Sequence, residues 1–237
     1  IRIARAAARI DAQPLRCGRG AAGQDRLDVL WPVGTHFGAR VLHQTWLGYA
    51  AQKNHAISLA TQPWLLMLDA DEWLADGADT AIRALFSDGR VETADAWVLT
   101  RRNWFLGRRL RGGESVARLV RPGWRFLPEL VHERPDLANK TVRRLDAGIE
   151  HDTARSHAEQ VEKLSRYASL WAHQRHAAGK RAFRWDGLVH ATAYLLKQYL
   201  LRGAWIDGRI GWSYHRENSV YILEKYRTLN TLNAKRH

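Results

Sequence analysis

The sequence predicts an α/β fold, a sheet-and-helix core followed by a C-terminal extension that is helical throughout. Three observations carry this expectation. Short apolar runs of strand length alternate with helical patterns up to about residue 150. Beyond residue 151 only helical periodicity is present. With 46% hydrophobic and 26% charged residues over 237 positions, the chain can also bury a core of that size.

Residues 1–36 are atypical. Ala, Arg and Gly fill 20 of the first 40 positions, and neither a lysine before Lys53 nor a glutamate before Glu72 occurs. Such text suits a flexible basic arm or out-of-frame translation of a GC-rich gene. From Phe37 the texture changes, and Arg40-Val41-Leu42-His43 is a short strand candidate. Residues 51–60 form a predicted helix with Ala56, Leu59 and Ala60 on one face, closed by Pro63. Trp64-Leu65-Leu66-Met67-Leu68 is a continuous apolar run, as expected of a strand buried on both faces. It ends in Asp69-Ala70-Asp71-Glu72. A helix over 79–87 follows on Ile82, Leu85 and Phe86, stopped at Gly89. Residues 96–100 and 118–121 are further strand candidates.

Ser156 with Glu159 three residues on is a capping box, and Val161, Leu164, Ala168 and Trp171 then step down one helical face until Gly179. Helices over 188–201 and around Tyr221, Ile222 and Tyr226 complete the extension. The predicted organisation is an atypical segment at 1–36, an N-terminally incomplete core at 37–150 and a basic amphipathic helical extension at 151–237.

The net charge of +13 is unevenly placed. Residues 151–237 hold 15 Lys/Arg against 7 Asp/Glu, and residues 101–125 hold eight arginines with one acid, Glu114. Basic clusters among Trp and Tyr suit a nucleic acid, an anionic lipid surface or an anionic small molecule. The single cysteine, Cys17, excludes an internal disulfide framework and a multi-cysteine zinc site. Arg2, Arg5 and Arg9 interrupt any signal-peptide pattern, and no apolar window is long enough to span a membrane. A cytoplasmic protein without a transmembrane helix is expected.

The sharpest chemical signal is Asp69-Ala70-Asp71-Glu72 at the end of an apolar strand, because ligands of open α/β sheets bind beyond the strands' carboxyl ends. On an extended segment Asp69 and Asp71 would share a face and act on one ligand. Carboxylates are hard ligands that suit Mg2+ or Mn2+, which in turn neutralises a diphosphate. His132-Glu133 is a second candidate: Asp136 stands where a zinc protease needs a histidine, which leaves Glu133 as a loop carboxylate able to act as a general base. His173 and His176 read as surface residues rather than a metal pair.

Taken in order, several segments resemble family 2 glycosyltransferases of the GT-A fold, and among them the bacterial lipopolysaccharide-core enzymes that add a β-linked glucose. They are Gly48 with Gln52-Lys53-Asn54, Leu68-Asp69-Ala70-Asp71-Glu72, the run Arg101-Arg102-Asn103-Trp104-Phe105-Leu106-Gly107, Arg118-Leu119-Val120-Arg121, Val131-His132-Glu133, and Arg166-Tyr167, Gly179-Lys180-Arg181 and Lys225-Tyr226 in the helical tail. The resemblance implies a Rossmann-like GT-A core and inverting transfer from a nucleotide-sugar, UDP-glucose by family, to a lipopolysaccharide-core or other lipid-linked acceptor. It implies Asp71 as the ligand of a divalent metal (Mg2+ or Mn2+), Asp69 on the nucleoside side, and Lys53, Asn54 and Arg118 around the donor. Glu133 would be the base, positioned by His132. The basic, aromatic tail would meet an anionic membrane surface at the cytoplasmic leaflet. Two other readings stand beside it: a basic nucleic-acid-binding protein, against which the acidic cluster argues, and a non-catalytic relic of the glycosyltransferase fold.

Overall fold

A mixed sheet organises residues 65–154 in a computed structural model that describes residue 42 and residues 44–128 and 135–234. Residues 1–36, most of the strand candidate at 40–43, and His132 and Glu133, for which the sequence sets expectations, lie outside the described residues. The strands are β1 (Leu65–Leu66), β2 (Glu72–Leu74), β3 (Ala96–Phe105), β4 (Arg108–Arg109), β5 (Glu114–Val120) and β6 (Val142–Ala154). Their order is β1-β5-β3-β6-β2, with β4 hairpinned onto β3 through Leu106 and Gly107, both at positive φ. Among the described residues only β3 and β6 run parallel; the other pairings are antiparallel.

The helices are α1 (Tyr49–Ser58), α2 (Ala78–Ser87), α3 (His157–Ala177), α4 (Asp186–Leu196) and α5 (Gly208–Ala234). Alternation along β3 separates two cores. Trp97 and Leu99 face α2, whose Ile82 and Leu85 pack with them and with Leu119, Leu145 and Ile149. Ala96 faces the other way, joining Ala50 and Ile57 of α1, Val120, Trp124 and Phe126. The molecule is thus a mixed α/β fold with helices on both sheet faces and a C-terminal helical layer. A third cluster, Phe105, Leu110 and Ala154 against Ile210 and Tyr214, seats α5 on the end of the sheet.

The predicted helix start at Ser156 is observed: its Oγ accepts the Glu159 N–H at 3.1 Å. Glu159 reaches back to the N–H of Arg155 at 3.0 Å, one residue earlier than an ordinary capping box. The helix predicted over 188–201 is α4 followed by a π turn at Lys197–Leu201.

Two expectations need correction. The run 64–68 contributes only two residues to the sheet and, among the described residues, pairs on one side alone, with β5. Its side chains are half-buried apart from the buried Trp64, so it is not covered on both faces. Asp69 and Asp71 do not lie on extended chain either. Ala70 and Asp71 form a turn closed by the Glu72 N–H donating to Asp69 O at 3.0 Å, which cancels the two-residue alternation.

Candidate active site

Five residues, 67–71, carry the chain from β1 at one edge of the sheet to β2 at the other. On the way they meet the strands between. The Met67 N–H donates to Arg118 O on β5 at 2.7 Å, and the Asp152 N–H on β6 donates to Asp71 O at 2.9 Å. The acidic turn is therefore fixed at both ends by the sheet.

Asp69 faces a basic cradle. Lys53 of α1 stands 3.3 Å from its Oδ1, and Arg118 Nη2 donates to its Oδ2 at 2.9 Å. Glu72 sits beneath, its side chain fully buried. It accepts from Arg118 Nη2 and, at 3.3 Å, from Arg101 Nη1, while its second oxygen accepts the Asp69 N–H at 3.2 Å. Arg101 also binds Glu114 at 2.7 Å, so three cations balance three carboxylates. Burial opposes the charge on Arg101, yet Glu114 and Glu72 outweigh it and push the guanidinium above its ordinary value. Arg118, expected around the donor, is instead 4% exposed and turned onto Asp69 and Glu72.

Asn54, the next residue of α1, makes a two-way amide clamp on Phe126: its Nδ2 donates to Phe126 O at 2.9 Å and its Oδ1 accepts the Phe126 N–H at 2.8 Å. Phe126 bridges Pro135, and the Asp136 N–H donates to Arg125 O at 2.9 Å. The chain on either side of residues 129–134 is thereby held together at its base.

Asp71 points away from that cradle to a residue that sequence reasoning missed. His151 Nε2 lies 3.3 Å from Asp71 Oδ2, and His151 Nδ1 lies 2.8 Å from Asn103 Oδ1. The amide oxygen can only accept, so Nδ1 carries the hydrogen and Nε2 faces the carboxylate. Two acceptors so placed need a proton or a cation between them. Burial works against ionisation of Asp71, but the hydrogen bond and charge of His151, with Lys163 beyond, hold its carboxyl below the usual value. His151 occupies its place because Asn103 of β3 and Glu72 of β2 are its register partners on either side. Its signal was the alternation Leu145, Ala147, Ile149, which continues to position 151.

Among the described residues no group of three or more His, Cys, Asp or Glu is arranged to hold a metal ion. Magnesium and manganese need few protein ligands when a substrate diphosphate supplies others. One half-exposed carboxylate beside an imidazole nitrogen fits that requirement. His173 and His176 are engaged separately, with Ser169 O and Asn233 Oδ1. No helix among the described residues is long and apolar enough to cross a membrane.

Comparison with known proteins bears on this arrangement directly. The chain is 28% identical over 213 residues to "Lipopolysaccharide core biosynthesis glycosyltransferase LpsC" of Rhizobium meliloti (strain 1021), covering 86% of this chain and 75% of that protein. A stretch of 55 residues is 40% identical to "Uncharacterized glycosyltransferase RT0209" of Rickettsia typhi (strain ATCC VR-144 / Wilmington), covering 23% of this chain and 19% of the relative. Residues 33–134, which hold α1, the acidic turn, α2 and the strands through β5, match the family described as "Glycosyl transferase family 2". With the acidic turn and its basic cradle inside that match, residues 33–134 carry the likeness to glycosyl transferase family 2, and together with the Rhizobium relative they support a glycosyltransferase.

Proposed function

We propose that this enzyme moves a sugar from a nucleoside-diphosphate donor, UDP-glucose, to an acceptor of the lipopolysaccharide core, with inversion at the anomeric carbon. The observation that carries the reading is the division of the acidic turn, with Asp69 against Lys53 and Arg118 and Asp71 against His151. The name of the Rhizobium relative supports the acceptor class. Asp71, with His151 beside it, would hold a Mg2+ or Mn2+ ion; when bound, that ion supplies positive charge to the donor diphosphate.

The chain's own residues do the rest. Asp69 meets the nucleoside side of the donor, oriented by Lys53 and by Arg118, which acts as a positioning residue. Asn54 secures Phe126, seven positions before Glu133. Glu133 takes the proton from the acceptor hydroxyl as its oxygen bonds to the anomeric carbon and the bond to the diphosphate breaks, with His132 orienting the carboxylate. Leu196, Leu200, Leu201 and Trp205, each more than half exposed, lie near Lys197 and Arg209 in sequence and form the face offered to an anionic cytoplasmic leaflet.

Calorimetric titration of UDP with and without Mn2+ tests the donor site. Binding that requires Mn2+ in the wild type and disappears in Asp71→Ala is expected, and Glu133→Gln should bind UDP normally yet lose turnover. UDP binding indifferent to Mn2+ and to Asp71→Ala would overturn the assignment.

A further inference from the structure

A second concavity, of about 490 Å3, opens between the β3–β5 end of the sheet and the C-terminal helices. Its wall includes Asn103, Arg111, Glu114, Tyr194, Gln198 and Arg202. Asn103 is the residue that holds His151, so this cavity abuts the wall of the candidate active site.

The charges in it do not cancel. Glu114 is neutralised by Arg101 at 2.7 Å. Asp207, just outside, turns both oxygens to the backbone N–H of Arg111, at 2.9 and 3.0 Å, and leaves that residue's guanidinium untouched. Among the described residues neither Arg111 nor Arg202 has a carboxylate partner, and both are exposed. Burial raises the Tyr194 phenol, and burial with Glu114 pushes that of Tyr214 up to about 12, so both remain neutral. Burial lowers the His215 imidazole, with Asp207 opposing and Arg202 reinforcing it. The cavity therefore offers two forked cations, the amides of Asn103 and Gln198 and neutral hydroxyls, which is the lining for a polyhydroxylated anion.

The π turn at Lys197–Leu201 shapes this lining. It sets Gln198 and Arg202 in the cavity wall while Leu200 and Leu201 stay 75% and 79% exposed.

We infer that this cavity is the acceptor subsite and that Arg111 and Arg202 grip an anionic sugar of the acceptor, through a sugar carboxylate or a sugar phosphate. The inference rests on the glycosyl-transfer reading above. Its test titrates glucuronate, glucose 6-phosphate and, as the neutral control, glucose into the full chain, followed by NMR of the arginine side chains.

One or both anions should saturate the wild type, and the tighter of the two names the group recognised. Glucose should bind at least about tenfold more weakly, the worth of one charge-assisted hydrogen bond. Arg111→Gln with Arg202→Gln should cost about tenfold or more in anion affinity, and the lysine pair should restore part of it. UDP binding with Mn2+, measured on the same samples, reports the donor site separately: its loss in the wild type alone would sink the donor reading and not this one. Glucose binding as well as the anions, anion affinity unchanged in the glutamine pair, or no saturation by either anion would overturn the proposal.

Discussion

Replacing Arg118 by Met isolates the energetic cost of organising the acidic turn. In the native protein a single nitrogen, Arg118 Nη2, bonds both Asp69 and Glu72. Asp69, with a side chain 37% exposed and Lys53 3.3 Å away, can rehydrate, so its share of the loss is at most about 1 kcal/mol. Glu72 cannot, because its side chain has no exposure. After the substitution its nearest remaining cation is Arg101 at 3.3 Å, which Glu114 already shares. Stripping one partner from a buried ion pair costs about 3–5 kcal/mol, and the residual Arg101 contact places this case near about 3.

Urea unfolding of the two proteins measures the difference. Glu72→Gln on the same background should recover part of it, because the uncompensated charge is gone; the double-mutant cycle should show a coupling of about 1–3 kcal/mol. A loss under about 1 kcal/mol, or strict additivity, would refute the argument that Glu72 depends on Arg118.

The remaining expectations concern packing, capping and pH. Gly113→Ala places a Cβ 2.8 Å from Thr100 Cγ2 and 3.0 Å from the Arg101 carbonyl oxygen, so overpacking should cost about 1–3 kcal/mol by chemical denaturation. Leu85→Ala, in a fully buried position of α2, should cost about 2–5 kcal/mol in the same assay. Ser156→Ala removes the N-cap bond of α3 and should cost about 1 kcal/mol, read as a lower Tm. His215 is held neutral mainly by burial, so its folded pKa lies below the unfolded value of about 6.5. Between the two values the unfolded chain binds more protons, and stability rises with pH. That contribution is complete above about 6.5 and falls away on acidification, and His215→Gln should flatten this part of the stability–pH curve.

The helices and β3 were legible because their signals are local. Ser156 caps, Gly179 stops, and Ile82 and Leu85 share a face, whatever the rest of the chain does. The strand β6 was not legible, although it is the longest among the described residues. Its Arg143, Arg144, Glu150, His151 and Asp152 look like a solvated loop when read singly. In the fold they are matched by groups far away in sequence: Glu150 takes the Trp104 indole N–H at 2.6 Å and Arg102 at 3.4 Å, and His151 takes Asn103 and Asp71. Long-range pairing of this kind leaves no periodic trace beyond Leu145, Ala147 and Ile149. Of the candidate site, Asp69, Lys53 and Arg118 come together, but as a mutually neutralising cluster, which a list of conspicuous residues does not reveal. Asn54 is turned to Phe126, and His151 emerges only from the register of β6 against β2 and β3.

The helix α1 links two parts of the site that are far apart in sequence. Its adjacent residues Lys53 and Asn54 reach respectively to Asp69 in the acidic turn and to Phe126 at the base of the segment that carries Glu133. A helix of ten residues is marginal in isolation, and this one begins at Gly48 without any side-chain cap bond. It is held by Ala50 and Ile57 packing on Ala96, Val120, Trp124 and Phe126. Trp124 and Phe126 belong to the very stretch that Asn54 clamps. The apolar contact and the amide clamp therefore act on the same few residues, and loosening either one weakens the other. The position of Asp69 relative to Phe126 is therefore set by the core beneath α1 as much as by the polar contacts of Lys53 and Asn54.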